Sequence, residues 1–195
     1  MQVLIIDNYD SFVYNIVQMA RGIEGVSVEV MRNDDPRLNA LEEYDAIIIS
    51  PGPDVPEAAG RLMEVIHRYH TAKPMLGICL GFQALAQFFG AKLTNLTQPL
   101  HGHESPLTHV DYDDALYRSL PRPITVGHYH SWIIDPATLP EVLHATATDD
   151  MDNLMSFTHR DLPLYGVQYH PESIITTSGS AIIANFIAAA RRINR

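Results

Sequence analysis

Cysteine is nearly absent: Cys79 is the only one in 195 residues. No disulfide can close within the chain, and the expected compartment is the reducing cytoplasm. Lysine is almost as scarce, with Lys73 and Lys92 alone, and 13 Lys and Arg stand against 23 Asp and Glu for a net charge of −10. A protein whose main ligand is a phosphate backbone needs a basic face. The one basic stretch is the tail Arg191-Arg192-Ile193-Asn194-Arg195, which reads as a helix C-terminus complementing the macrodipole. Nucleic acid is therefore not expected as a partner. No apolar run approaches the ~20 residues of a membrane span. Met1 to Asp7 carries neither the basic start nor the cleavage site of a signal peptide. Internal repeats, low-complexity stretches and Gly/Ser linkers are also missing.

What is present is globular composition, 46% hydrophobic and 18% charged, with enough apolar surface to offset the entropy of ordering. The length suits one domain, residues 1–195. In the first half, apolar runs alternate with helical patterns. Gln2–Ile6 and Ala46–Ile49 are nearly continuous apolar runs, the mark of strands buried on both faces, and Val26–Met31 alternates as a strand. Ser11–Arg21 carries a helical stripe stopped by Gly22, and Pro56–Tyr69 predicts a second helix with proline at its start. Pro74–Ile78 reads as a strand and Leu80–Phe89 as a helix closed by Gly90. Such alternation means a parallel sheet with helices on both faces. The second half is a series of short strand-like pieces, at Thr108–Val110, Ile124–His128, Trp132–Ile134, Val142–Thr148, Leu154–Thr158 and Leu164–Tyr169, which suit antiparallel extensions of that sheet. A last helix is expected over Ser178–Arg192. The predicted class is α/β with a mixed, mostly parallel central sheet.

Cys79 lies in Gly77-Ile78-Cys79-Leu80-Gly81, between a buried strand and the next helix. Glycines two residues either side of a nucleophile allow the sharp turn that presents it at the sheet's edge. The helix N-terminus just after it favours a thiolate. A buried structural cysteine is the plainer alternative. A second segment weighs against it: Gly166-Val167-Gln168-Tyr169-His170-Pro171-Glu172-Ser173 sets a histidine and an acid two apart just after a strand. A cysteine nucleophile needs a base, and the base needs a partner to hold its tautomer. His170 and Glu172 suit those two roles. An oxyanion formed at Cys79 needs preorganised donors, and the Leu80 N–H, first in its helix, is well placed.

These residues carry a resemblance. The chain resembles the class I (triad) glutamine amidotransferases, in the branch of the small subunits of anthranilate and aminodeoxychorismate synthases. The match runs in order through Asp7-Asn8-Tyr9-Asp10-Ser11-Phe12, Arg32-Asn33-Asp34, Ser50-Pro51-Gly52-Pro53, Gly77 to Gln83, His101-Gly102, Tyr129-His130-Ser131 and Gln168 to Ile174. The resemblance implies a flavodoxin-like amidotransferase fold. It implies L-glutamine as substrate, attacked by Cys79 through a γ-glutamyl thioester. It implies Gly52 N–H as second oxyanion donor; Gly52 is the only donor in its Pro-Gly-Pro. It also implies glutamine contacts from Gln83, one helical turn past Cys79, and from the backbone of Ser131 and Trp132. No cofactor or metal is implied. The implied partner is a larger chorismate-binding synthase subunit that receives ammonia through a mouth rimmed by the loops at 7–12, 51–56 and 101–106. Product identity, aminodeoxychorismate or anthranilate, stays open, with local similarity over Ser105-Pro106-Leu107-Thr108-His109 leaning to the former.

The chain departs from the family pattern at Asp54, Phe82, His103, His128 and Trp132. These leave the triad untouched and bear on glutamine affinity and partner contact. His101/His103 and His128/His130 are His-x-His pairs without a third ligand nearby, expected at the mouth or surface rather than at a metal. Asp149-Asp150-Met151-Asp152-Asn153 lacks the Gly and Glu of a calcium loop and reads as a solvated turn. The same glutaminase step serving guanosine monophosphate or carbamoyl phosphate synthesis, a noncatalytic binding subunit, and a cysteine peptidase remain as alternatives.

Overall fold

In the computed structural model, which describes residues 1–194, the chain runs β1 (Gln2–Asp7), α1 (Val13–Arg21), β2 (Ser27–Arg32), β3 (Ala46–Ile49), α2 (Leu62–Tyr69), β4 (Met75–Ile78), α3 (Leu80–Phe88), β5 (Leu93–Pro106), β6 (Thr125–Ile134), β7 (Leu143–Thr148), β8 (Leu154–His159), β9 (Leu164–Val167) and α4 (Gly179–Ile193). Seven strands form one sheet in the order β2-β1-β3-β4-β9-β8-β7. The first five pair in parallel, and β8 and β7 add an antiparallel edge. The parallel part has the strand order of the flavodoxin-like class, with β9 in the fifth place.

Residues of the central strands alternate between two cores, because successive side chains leave a strand on opposite faces. Val3, Ile5, Ile48 and Ile78 pack with Ile16 and Val17 of α1 and Ile182, Ile183 and Phe186 of α4. Leu4, Ile6, Ile47 and Ile49 pack with Leu62, Val65 and Ile66 of α2 and Phe82 and Leu85 of α3. Burial on both faces explains the unbroken apolar runs of β1 and β3. Phe82 belongs to this second core, stacked on Phe157 with ring centroids 5.0 Å apart. That accounts for a phenylalanine at a position that departs from the family pattern.

Several boundaries differ from those expected. The helix expected from Pro56 is two pieces, a 3-10 turn over Pro56–Ala58 and α2. Gly60 separates them in the left-handed conformation, φ +56°, which interrupts the helical path. Thr108–Val110 is not a strand, and only Val110 forms a bridge, to Ala147. The two pieces expected at 124–128 and 132–134 are one strand, β6. It pairs with β5, a strand absent from the sequence reading, in a separate two-stranded sheet. The structure thus corrects the reading that all the later strands extend the main sheet. β5 shows no period-two pattern because most of its residues are exposed, and bulges break its register twice. Asp149-Asp150-Met151-Asp152-Asn153 is a turn, but Asp149 is buried, accepting from Met151 N, Asn153 N and Asn153 Nδ2. At the basic tail, Arg191 and Arg192 fill the last turn of α4, and Arg195 lies outside the described residues.

The stacked pair gives a direct test of the core. Phe82→Ala should lose about 3–5 kcal/mol of stability through lost burial and the cavity left beside Phe157. Tyr14→Ala, 70% exposed, should stay within about 0.5 kcal/mol of the wild type in the same denaturant titration. Equal losses for the two would contradict the packing described.

Candidate active site

The position of Cys79 follows from strand pairing. β4 and β9 are parallel neighbours in the register Gly77↔Gly166 and Ile78↔Val167. Cys79 and Gln168 are therefore the next residues out at the C-terminal ends of adjacent strands, where open α/β sheets bind ligands. Cys79 N donates to Val167 O at 2.9 Å and Gln83 N to Cys79 O at 3.0 Å, so the cysteine is tied to β9 on one side and α3 on the other. Its backbone is left-handed, φ +51° and ψ −101°, a strained conformation for a residue with a Cβ. The turn is tight enough that a Cβ on Gly77 would lie 2.4 Å from the Gly81 backbone, and one on Gly81 2.6 Å from Ile49 O. The glycines of the pentapeptide are thus required by close approach.

His170 and Glu172 meet the cysteine from the loop after β9. His170 Nδ1 donates to Glu172 Oε1 at 2.7 Å, with both side chains almost wholly buried. His170 Nε2 has no partner among the described residues. Burial works against a charged ring here, but Cys79 first and Glu172 second outweigh it and raise the His170 pKa to about 10. His170 N donates to Gly127 O and Thr176 Oγ1 to His170 O, fixing the loop. The Tyr129 ring packs edge-on against the imidazole at 5.1 Å, and the Tyr129 hydroxyl pairs with Ser173.

Two hollows meet at Cys79. The inner one, of about 140 Å³, is lined by Gly52, Asp54, Gln83, Ser131 and Trp132 among others. That is room for a short amide side chain. The outer one, of about 300 Å³, opens between Tyr9, Phe12, Pro53, His101 and His170. Of the stretch 101–106 expected at the mouth, only His101 lines this hollow. His128 and His130, expected at the mouth or surface, are buried instead.

Gly52 is pressed against both neighbours that matter: a Cβ there would sit 2.5 Å from Asn8 Cβ and 2.7 Å from Leu80 Cδ2. Neither Gly52 N–H nor Leu80 N–H has a hydrogen-bond partner among the described residues. Asn8 anchors this loop, with its side chain donating to Ser50 O at 2.8 Å and accepting from Asn33 Nδ2 at 3.1 Å. Gln83 does line the inner hollow, but its amide nitrogen is already used, donating to Trp132 O at 2.9 Å and Gln168 Oε1 at 3.1 Å. Gln168 Nε2 in turn lies 3.6 Å from Cys79 Sγ.

The structure thus brings together Cys79, His170, Glu172, Gly52, Leu80, Gln83, Ser131 and Trp132. It adds Gln168, Tyr129 and Asn8, to which the sequence reading assigned no role. Their signal lay in the motifs that contain them, but their contacts cross between distant elements.

The model of the family Glutamine amidotransferase class-I matches residues 4–190. The chain is 42% identical over 192 residues to anthranilate synthase component 2 of Mycobacterium tuberculosis, covering 96% of this chain and 82% of that one. It is 41% identical over 187 residues to aminodeoxychorismate synthase component 2 of Escherichia coli, covering 95% and 98%. Among solved structures, a putative GMP synthase subunit of Thermoplasma acidophilum superposes with a TM-score of 0.87 at 25% identity, covering 100% and 96%.

Because the folded pKa of His170 lies above the ordinary ~6.5, its charged form stabilises the fold fully below that value. The contribution is lost as pH rises toward about 10. In nitrogen NMR of the imidazole, the wild-type ring should stay protonated at about pH 8. Glu172→Gln should lower its titration point, and Cys79→Ala should lower it further, in the order of the two influences. A ring already neutral in the wild type at that pH would contradict the assignment.

Proposed function

Because this chain belongs to the class-I glutamine amidotransferase family, we propose that it hydrolyses L-glutamine at Cys79 and delivers the ammonia to a larger, chorismate-binding synthase subunit. The observation that carries the reading is the meeting of a strained, cleft-lining cysteine with the buried His170–Glu172 pair. We take residues 1–195 as one amidotransferase unit working in the cytoplasm, in keeping with a single cysteine and with no helix of the described residues long and apolar enough to cross a membrane.

The steps follow from the groups present. The substrate amide enters the inner hollow, where Gln83, Ser131 and Trp132 bind it. Cys79 Sγ, its proton already held on His170 Nε2 because the ring's pKa is raised to about 10, attacks the amide carbon. Glu172 supports the imidazolium and fixes its tautomer. The tetrahedral oxyanion is met by the N–H groups of Leu80 and Gly52, neither of which has a partner among the described residues. Their orientation in advance lowers the barrier, since no reorganisation is needed as charge develops. Collapse breaks the carbon–nitrogen bond, with His170 returning its proton so that ammonia leaves neutral. Water, deprotonated by His170, then attacks the γ-glutamyl thioester, which releases glutamate and restores Cys79.

Neutral ammonia must reach its acceptor before it picks up a proton, so the acceptor subunit has to cover the mouth. Tyr9 and Phe12 are exposed at the outer hollow, and Ile174, two residues past Glu172, is fully exposed. Exposed apolar side chains beside a cleft suit a partner surface. The 41–42% identity to components of two chorismate-using synthases, against 25% to a putative GMP synthase subunit, favours the chorismate branch. Which product forms is then set by the partner.

Cys79→Ser should abolish glutamine-dependent synthesis by the reconstituted complex while added ammonium salts still support it. Retained glutamine-dependent activity would remove Cys79 as the nucleophile. Gly52→Ala, whose methyl meets Asn8 and Leu80, should displace the loop and lower kcat about 10²-fold, as misplacement by ~1 Å does. Steady-state glutaminase assays with the partner bound measure it.

A further inference from the structure

The side-chain amides of Gln83 and Gln168 form a short line that ends on Cys79 Sγ. Gln83 lies on α3 and Gln168 just past the end of β9, and both are almost wholly buried. Gln83 Nε2 lies 2.9 Å from Trp132 O and 3.1 Å from Gln168 Oε1, and Gln168 Nε2 lies 3.6 Å from Cys79 Sγ. Among the described residues that last contact is the one hydrogen bond to the sulfur, and the sulfur is the one acceptor of Gln168 Nε2. The Gln168 backbone is fixed as well, its N–H donating to Met155 O of β8 at 2.8 Å.

Which end of each amide faces which neighbour follows from donors and acceptors. A backbone carbonyl can only accept, so the Gln83 atom 2.9 Å from Trp132 O is its NH2 nitrogen. The Gln168 atom 3.1 Å from that nitrogen is then its oxygen, and the Gln168 nitrogen is left toward the sulfur. Turning Gln83 over would set its oxygen against the Trp132 carbonyl. Turning Gln168 over would set one NH2 group against another.

A neutral thiol is a weak acceptor, whereas a thiolate accepts a charge-assisted bond about twice as strong as a neutral one. A buried NH2 group directed at sulfur therefore favours the anion. The sulfur and Glu172 hold the His170 ring protonated against its burial, but its Nε2 makes no hydrogen bond. The histidine thus contributes charge, and Gln168 the directional bond. The other titratable groups that share a hollow with the sulfur are Tyr9 and Asp10 after β1, Asp54 after β3, His101 of β5, and Tyr129 and His130 of β6. None of them bonds to it. Burial keeps His130 and the neighbouring His128 uncharged, with pKa values lowered to about 3 and about 4.

We propose that Gln168 is a further catalytic residue: its side-chain NH2, oriented by Gln83 and the Trp132 carbonyl, donates to Cys79 Sγ and holds it as the thiolate. The bond to sulfur stands on geometry; its use in turnover rests on the glutaminase reading above.

Cys79 is the only cysteine, so alkylation by iodoacetamide, in which the sulfur bonds the reagent's methylene carbon and expels iodide, reports on this one atom. Its rate follows the thiolate fraction and so has an acid limb and a plateau against pH. In the full chain, Gln168→Met, which fills the space without a donor, should move that limb up by about 1–2 pH units, the equivalent of one hydrogen bond to a charged group. The plateau should stay near that of the wild type. Glutamine turnover in the complex with the synthase partner should show the same displacement. In the wild type, the NMR signals of the Gln168 side-chain NH2 should follow the limb as the sulfur loses its charge. An unmoved limb, or a lowered plateau alone, would reduce Gln168 to packing and overturn the proposal. So would an NH2 signal indifferent to the sulfur, a result that decides the matter even where Gln168→Met does not fold. A moved alkylation limb with an unmoved turnover limb would overturn the catalytic role. Should Cys79→Ser retain glutamine hydrolysis, the glutaminase reading fails, and the alkylation profile still decides whether Gln168 holds the thiolate.

Discussion

Parallel pairing of β4 with β9 puts the ends of two strands, 89 residues apart in the chain at Cys79 and Gln168, side by side. Everything at the cleft is built outward from that register. The Cys79 N–H bonds to Val167 O, so a slip of one residue would turn the sulfur to the opposite face of the sheet. The loop leaving β9 carries His170 and Glu172 back over the cysteine, and its backbone is pinned to Gly127 of β6. The two-stranded hairpin, although outside the main sheet, is thereby locked to the same strand ends and contributes Tyr129, Ser131 and Trp132 to the walls.

The strain at Cys79 is tolerable because its surroundings over-determine it. A left-handed non-glycine residue costs about 1–3 kcal/mol, and two backbone hydrogen bonds with the close approach of Gly77 to Gly81 hold it there. The result is a cysteine fixed at a helix N-terminus before any ligand arrives. The Pro51-Gly52-Pro53 loop is fixed independently, by the buried Asn8, Asn33 and Ser50 at the ends of neighbouring strands. Two rigid pieces thus border one cleft, Gly52 from one and Cys79 from the other, the fixed geometry that electrostatic preorganisation at such a site requires.

The polar contacts around the cleft form two layers. His170, backed by Glu172, lines the outer hollow with Cys79, while Gln168, Gln83 and the Trp132 carbonyl tie the sulfur to β6. Low dielectric makes such chains cooperative and makes any unpaired member costly. Among the buried atoms without a partner in the described residues, His170 Nε2 is the one that the proposed chemistry uses.

Read alone, the sequence determined the parallel half of the sheet and singled out Cys79, His170 and Glu172 as a candidate site. Apolar runs, helical stripes and the glycines flanking Cys79 are local consequences of burial and backbone sterics, and His170 and Glu172 lie close enough in sequence to be read as a pair. β5 was not legible, since a mostly exposed strand has no periodicity to show, and the polar centre of β6 made one strand look like two. The tertiary structure decided which side chains Cys79 meets: Gln168, Tyr129 and Asn8 act through contacts between remote elements, which no spacing encodes. It also decided that His128 and His130 are buried and uncharged rather than at the surface. Desolvation depends on what the rest of the chain packs over a residue, and only the folded chain supplies that.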